Sequence, residues 1–249
     1  MRSKVMDEQV DFYSAHGWVT VEKLFSTDEV KEATSHVEAF VASGARELTG
    51  RHINRVNEEI NSIHRLQDDQ WINSVLHSQE MKDLVEPFLG DAAEPRKCEL
   101  FAKPARVGLA APPHQDNFLF CVEGGRALTV WVALDQSAAN NGGLYYYDAS
   151  HKLGLLEHEK SFAPGTSQQL ANMAQVDHLK MIVPELRPGD ALIHHSEIVH
   201  GSEPNTSEYA RRGWTLQYKA ESAAYDQTRL ANYEAELAEQ LEARGQGET

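Results

Sequence analysis

The chain has 249 residues and a formal net charge of −15 at neutral pH, from 23 basic and 38 acidic side chains. That length allows one large domain with a full core, and the acidic balance argues against nucleic acid or an anionic membrane surface as a partner. Cys98 and Cys121 are too few for a disulfide framework; the first residues, "MRSKVMDEQV", lack the apolar stretch of a secretion signal, and no apolar run is long enough to span a bilayer. A cytoplasmic setting is expected.

The opening, "VDFYSAHGWVTVEKLFSTDEV", reads as a short helix, a strand around Trp18 to Val21, and a new helix start. Ser26 and Glu29 have the spacing of a capping box. Val30, Ala33, Val37 and Phe40 follow at helical intervals until Gly44. The polar segment Arg51 to Asp69 carries no clear signal. A second helix runs through Met81, Leu84, Val85 and Phe88 and stops at Gly90.

From about Cys98 the pattern changes to short strands between turn signals: "CELFAKP", the segment around His114, "ALTVWVALD", "NNGGLYYYD", "RPGDALIHH" and "RRGWTLQY". In "ALTVWVALD", Leu128, Val130, Val132 and Leu134 form an aliphatic face. Thr129, Trp131 and Ala133 form a mixed one that could line a pocket. Leu230, Tyr233, Leu237 and Leu241 predict an amphipathic closing helix packed on its own chain. The fold class expected is mainly β with flanking helices, a sandwich or jelly roll. Its parts would be a helical region over about 1–95, a β core over about 96–220 and a helix over about 225–243.

Within "APPHQDNFLF", His114 and Asp116 stand two apart, so an extended strand would project both from one face. By itself the triplet is weak. It gains weight from "HHSEIVHGSEPNTSEYARRGW", which supplies His200 much later and then Arg211 and Arg212. Two imidazoles and a carboxylate hold Fe(II) on one side and leave positions open for a co-substrate and O₂. A following arginine has the planar fork to clamp the far carboxylate of a 2-oxo acid. Strand parity alone leaves open which arginine does so.

These segments together resemble the phytanoyl-CoA dioxygenase family of Fe(II)/2-oxoglutarate-dependent oxygenases. The resemblance runs through "FYSAHGWVTVEKLFSTDEV", "LFAKPARVGLAAPPHQD", "NNGGLYYYDASHKLGLLEH", "PGDALIHHSEIVHGSEPNTS" and "RRGWTLQY". It implies a double-stranded β-helix (jelly roll, cupin-like) core, with iron held by His114, Asp116 and His200. It also implies that Arg211 binds the 2-oxoglutarate carboxylate and that Ser202 and Trp131 contact the same co-substrate. Glu99 is expected among the co-substrate contacts as well, although it departs from the pattern, because relatives often have Met or Gln there, facing the co-substrate. A lysine that some relatives carry near "NSIHRL" has no counterpart. The implied reaction couples oxidative decarboxylation of 2-oxoglutarate, to succinate and CO₂, with O₂-dependent oxidation of a small organic molecule. Hydroxylation leads; desaturation, cyclisation and epimerisation are also known in the family. Halogenation is disfavoured, because Asp116 fills the position a halide would need.

The same residues admit other readings. A metal-free jelly-roll binding protein and an oxygenase acting on a protein side chain are the alternatives in function. Trp131 could be core instead of pocket wall. His194 and His195 are expected to be hydrogen-bonded structural histidines, and His151, His158 and His178 solvated. Of Tyr145, Tyr146 and Tyr147, alternation lets only one face reach a pocket. Lys103 could simply end its strand. Substrate choice is expected to lie in loops such as Arg51 to Asp69 and Glu157 to His178.

Overall fold

The helical signals of the first third are helices in the computed structural model, which describes residues 5–43, 53–161, 163 and 167–246. α1 (Asp7–His16) ends at Gly17, whose φ of 81° is left-handed and whose amide bonds Tyr13 O at 2.7 Å. That turn lets β1 (Trp18–Val21) begin at once, a conformation costly for a residue with a side chain. α2 (Thr27–Ala42) has the expected capping box: Glu29 N–H donates to Ser26 Oγ, and Ser26 N–H donates to Glu29 Oε2. It buries Val30, Ala33 and Val37 and is capped at Ser43; Gly44, its expected stop, lies outside the described residues.

The segment without a signal contains a hairpin, β2 (Ile53–Val56) and β3 (Glu59–Ile63). Its turn residues Asn57 and Glu58 both have positive φ, 50° and 67°. Such turns favour Asn-Gly, and a glutamate in the second place hides the signal. α3 (Gln70–Leu76) and α4 (Gln79–Leu89) follow, with Asp69 and Ser78 accepting from the first-turn amides of Ile72 and Met81.

The remaining elements are β4 (Ala93–Lys103), β5 (Ala111–His114), α5 (Asp116–Phe120), β6 (Ala127–Ala133), β7 (Leu144–Tyr147), β8 (His158–Lys160), β9 (Gln168–Leu170), β10 (Met181–Ile182), β11 (Ala191–His195), β12 (His200–Ser202), β13 (Arg211–Ala220) and α6 (Gln227–Gln246). They form a seven-stranded sheet in the order β1-β11-β6-β13-β4-β3-β2, a four-stranded sheet in the order β10-β7-β12-β5, and the ribbon β8-β9. All pairings are antiparallel. The N-terminal region is therefore not simply helical, since β1, β2 and β3 extend both edges of the large sheet.

Alternation along β6 sorts the two faces. Leu128, Val130 and Val132 join the core under α2, α3 and α4, while Trp131 and Ala133 pack with Leu144 and Tyr146 of the small sheet. The two sheets thus face one another, forming an open jelly roll. Along β13, Trp214, Leu216 and Tyr218 enter the helix-side core, which frees Arg211, Thr215 and Gln217 for the space between the sheets. α6 lays half-buried Leu230, Tyr233 and Leu237 on its own chain. Gln168 Nε2 donates to Glu236 at 3.1 Å, and the Tyr233 hydroxyl meets Ser167 Oγ at 3.3 Å. The side chain of Leu241 lies outside the described residues.

Candidate active site

β5 and β12 are neighbours with His114 directly opposite His200, their rings 4.3 Å apart. Asp116 is not on the strand with His114, as parity suggested, but opens α5. The intervening Gln115 is still extended, at φ −119° and ψ 128°, so the two side chains keep a common direction. The strand ends there because Gln115 N–H donates to His158 Nε2 at 3.0 Å, not to a sheet neighbour, and Asn117 N–H donates to Ser196 O. Asp116 Oδ1 then lies 3.8 Å from His114 Nε2 and 3.7 Å from His200 Nε2.

The surrounding hydrogen bonds leave the right atoms free. His114 Nδ1 donates to Pro112 O at 2.8 Å and His200 Nδ1 to Ile198 O at 3.0 Å, which leaves each Nε2 as a lone pair. Asp116 Oδ2 is occupied by the Thr129 hydroxyl at 2.7 Å and His194 Nε2 at 3.2 Å, leaving Oδ1 facing the imidazoles. His194 Nδ1 accepts from the buried Tyr146 hydroxyl at 2.9 Å, which fixes its tautomer. Three free donor atoms, all within 4.8 Å of one another, are a donor set suited to a first-row divalent metal. Burial would raise the Asp116 carboxyl, but His200, His194 and His114 outweigh it and hold the group far below the usual carboxylate range. Burial also pulls His200 down to about 3 and lowers His114, so both imidazoles are neutral and ready to ligate near pH 7.

Thr129 was legible only as a member of the mixed face, and its bond to Asp116 was not foreseen. Thr129→Val keeps the shape and removes that bond, and loss of such an orienting partner costs about 10–100-fold in metal affinity. Chelator competition with Fe(II) should read this loss with the fold intact; unchanged affinity would remove Thr129 from the site.

The cavity running from the triad is lined by Trp131, Ser202, Arg211 and Glu99, among others, so these four side chains share one space. Arg211 is 2% exposed. Its Nε and Nη2 donate to Gly142 O at 3.0 and 2.7 Å, and its Nη1 donates to Phe101 O at 3.3 Å. Of five N–H donors, one on each terminal nitrogen remains, a fork that matches a carboxylate. The nearby Asp135 does not neutralise it, because Arg212 claims Asp135 through Nε and Nη2 at 2.8 and 2.9 Å. Arg212 therefore ends in an ion pair, not in open solvent. Burial pulls Arg211 down to about 9. The Trp131 ring lies 5.3 Å from its guanidinium carbon and covers Gly213, where a Cβ would stand 1.9 Å from Cζ2.

Lys103 does more than end β4. Buried beside Arg211, its Nζ donates to the carbonyls of Leu109, Ser202 (3.3 Å) and Glu203 (2.7 Å), tying β4 to the end of β12. All three ammonium hydrogens are used. Burial, with Arg211 adding, lowers it to about 7.

Glu99 is 6% exposed and held from three sides. Oε1 accepts from His64 Nδ1 at 2.7 Å and Lys97 Nζ at 2.6 Å; Oε2 accepts from Gln217 Nε2 at 2.7 Å. Gln217 Oε1 in turn accepts from Arg96 Nη1 at 3.1 Å. Burial would raise Glu99, but Lys97 and His64 prevail and hold it at about 2, so it is ionised.

Two histidines expected in solvent are not there. His158 donates through Nδ1 to Leu156 O, accepts Gln115 N–H, and stacks on Phe118 at 4.4 Å; His151 packs against Gly17 and His195. Their burial comes from distant chain segments and leaves no local sequence signal. His178 is exposed as expected. Burial holds His158 at about 4, and burial with His151 and His194 holds His195 at about 4. Both lie below the ordinary value near 6.5, so the unfolded chain takes up protons first as pH falls. The stability they contribute is full above about pH 6.5 and is lost towards pH 4, by at most on the order of 3 kcal/mol each. The melting temperature of the metal-free protein should fall steadily from pH 7 to 5; a flat or rising profile would contradict these environments.

A jelly roll with two histidines and a carboxylate around one open point, beside an unneutralised buried arginine, is the architecture of the non-haem iron- and 2-oxoglutarate-dependent oxygenases. The chain belongs to the phytanoyl-CoA dioxygenase family, whose model matches residues 13–213. It is 29% identical over 198 residues to mouse (Mus musculus) phytanoyl-CoA dioxygenase domain-containing protein 1, covering 76% of this chain and 67% of that protein. It is 25% identical over 227 residues to a probable alpha-ketoglutarate-dependent hypophosphite dioxygenase of Stutzerimonas stutzeri, covering 87% of this chain and 79% of the relative. In fold it is similar to EctD from S. alaskensis, crystallised with 2-oxoglutarate and 5-hydroxyectoine, with a TM-score of 0.75, 22% identity, and 90% and 79% of the two chains covered. Among the described residues no helix is long and apolar enough to cross a membrane.

Proposed function

We propose that the protein oxidises a small organic molecule, by hydroxylation first of all, with Fe(II), 2-oxoglutarate and O₂, releasing succinate and CO₂. The observation that carries this is the convergence of His114 Nε2, His200 Nε2 and Asp116 Oδ1 on one point of a cavity that also holds Arg211. When bound, iron with 2-oxoglutarate supplies the activation of O₂. The chain's own work is to hold and orient. His114, Asp116 and His200 hold the metal from one side, and Thr129 and His194 keep Oδ1 of Asp116 turned towards it. Arg211 offers its two spare N–H groups to the far carboxylate of 2-oxoglutarate, under the Trp131 ring, with Ser202 on the adjoining wall. Glu99 does not suit that co-substrate, despite its position. Its ionised carboxylate has only acceptors to offer, and 2-oxoglutarate is an acceptor-only dianion. A screen of small metabolites for stimulated succinate formation tests the reading. A hit that yields an oxygenated product supports it, and no 2-oxoglutarate turnover under any condition with iron loaded would sink it.

A further inference from the structure

We infer that Glu99 reads a hydrogen-bond donor on the primary substrate, a small molecule with a hydroxyl or ammonium group on an apolar body. The inference rests on the oxygenase reading above and adds the class of its substrate.

Along β4, Lys97, Glu99 and Phe101 alternate onto the face between the sheets, while Cys98 and Leu100 enter the helix-side core. In register, Glu99 stands opposite Thr215, and Thr215 opposite Trp131. Gln217, which binds Glu99, stands opposite Thr129, whose hydroxyl binds Asp116. Glu99 is therefore two side chains from the metal's carboxylate ligand.

An ionised carboxylate has about four acceptor positions. Oε1 fills two with His64 and Lys97, and Oε2 fills one with Gln217. One position on Oε2 remains, and Glu99 lines the cavity. The co-substrate has no donor for it. The backbone of β4 is laddered to β13 along its length and to β3 at Ser62 and Ile63 without help from this carboxylate. A negative group on the substrate would meet a like charge here, while a hydroxyl or ammonium would complete the shell. Phe101, Leu109, Leu119 and Phe120 line the same cavity and suit a compact apolar body.

Three probes of one shape test this: cyclohexylammonium, cyclohexanol and cyclohexanecarboxylate. They are titrated by calorimetry into the protein loaded anaerobically with Fe(II) and 2-oxoglutarate. The ammonium and the alcohol should each bind at least ~10-fold tighter than the carboxylate. Glu99→Gln should erase most of the ammonium's advantage over the carboxylate. The inference is overturned if the ammonium and alcohol bind wild-type protein no tighter than the carboxylate, a ranking that stands even should the variant fail to fold. It is equally overturned if a folded Glu99→Gln protein keeps the ammonium-to-carboxylate ratio. If the loading step gives no Fe(II)–2-oxoglutarate absorption band, the oxygenase reading itself fails, and the ranking still decides the role of Glu99.

Discussion

Alanine in place of His114 or of His200 should abolish stoichiometric iron binding while the protein stays folded. Each imidazole would supply one of three protein donor atoms, and each is neutral and aimed by its own backbone acceptor. Losing an outer partner of a ligand costs about 10–100-fold in metal affinity, so losing a ligand itself should exceed ~100-fold. The fold should survive because the remaining contacts of β5 and β12, including the ladder of β12 to β7, do not involve these rings. Iron content after dialysis against a weak chelator checks this. Either variant retaining one iron per chain would mean that the three residues are not the metal's ligands.

The second large effect separates the adjacent arginines. Arg211→Ala should weaken 2-oxoglutarate binding by about 100-fold or more, since stripping a desolvated carboxylate of its partner costs about 3–5 kcal/mol. Arg212→Ala should change that affinity only a few-fold. Its guanidinium is spent on Asp135, with Glu38 at 3.7 Å, and lies on the opposite side of β13. The visible cost of the second variant should instead be stability, on the order of 1 kcal/mol for a partly exposed pair. Titration of 2-oxoglutarate into both proteins, with thermal melts, reads both effects. The reverse ranking would put the co-substrate on the other face of the strand.

What could be read from the chain was whatever local periodicity carries. Alternation in "ALTVWVALD" put Thr129 and Trp131 on the cavity side and Val130 in the core. The capping box at Ser26 located α2, whereas parity left Arg211 and Arg212 undivided until the structure placed Arg211 on the cavity wall and Arg212 on Asp135. The misses share a different cause. Asn57 and Glu58 make a left-handed turn without glycine, so the β2–β3 hairpin carried no signal. His158 is half-buried because Gln115 and Phe118, far away in sequence, meet it. The bonds of Lys103 to Glu203 O and of Glu99 to Gln217 join residues about a hundred positions apart. Such pairs exist only once the sheets have formed, so no local pattern encodes them. Parity between His114 and Asp116 was right for a reason only partly anticipated, because one extended residue, Gln115, carries the alternation into the first turn of a helix.

The most direct test of the central claim is an anaerobic titration of the metal-free protein with Fe(II) in the presence of 2-oxoglutarate, followed by visible absorption. Chelation of iron by the 2-oxo acid at a site with two imidazoles and one carboxylate predicts a weak charge-transfer band. The band should saturate at one iron per chain and be lost in His114→Ala and His200→Ala. A band that never forms, or one that both variants retain unchanged, would contradict the assignment of His114, Asp116 and His200 as the iron site.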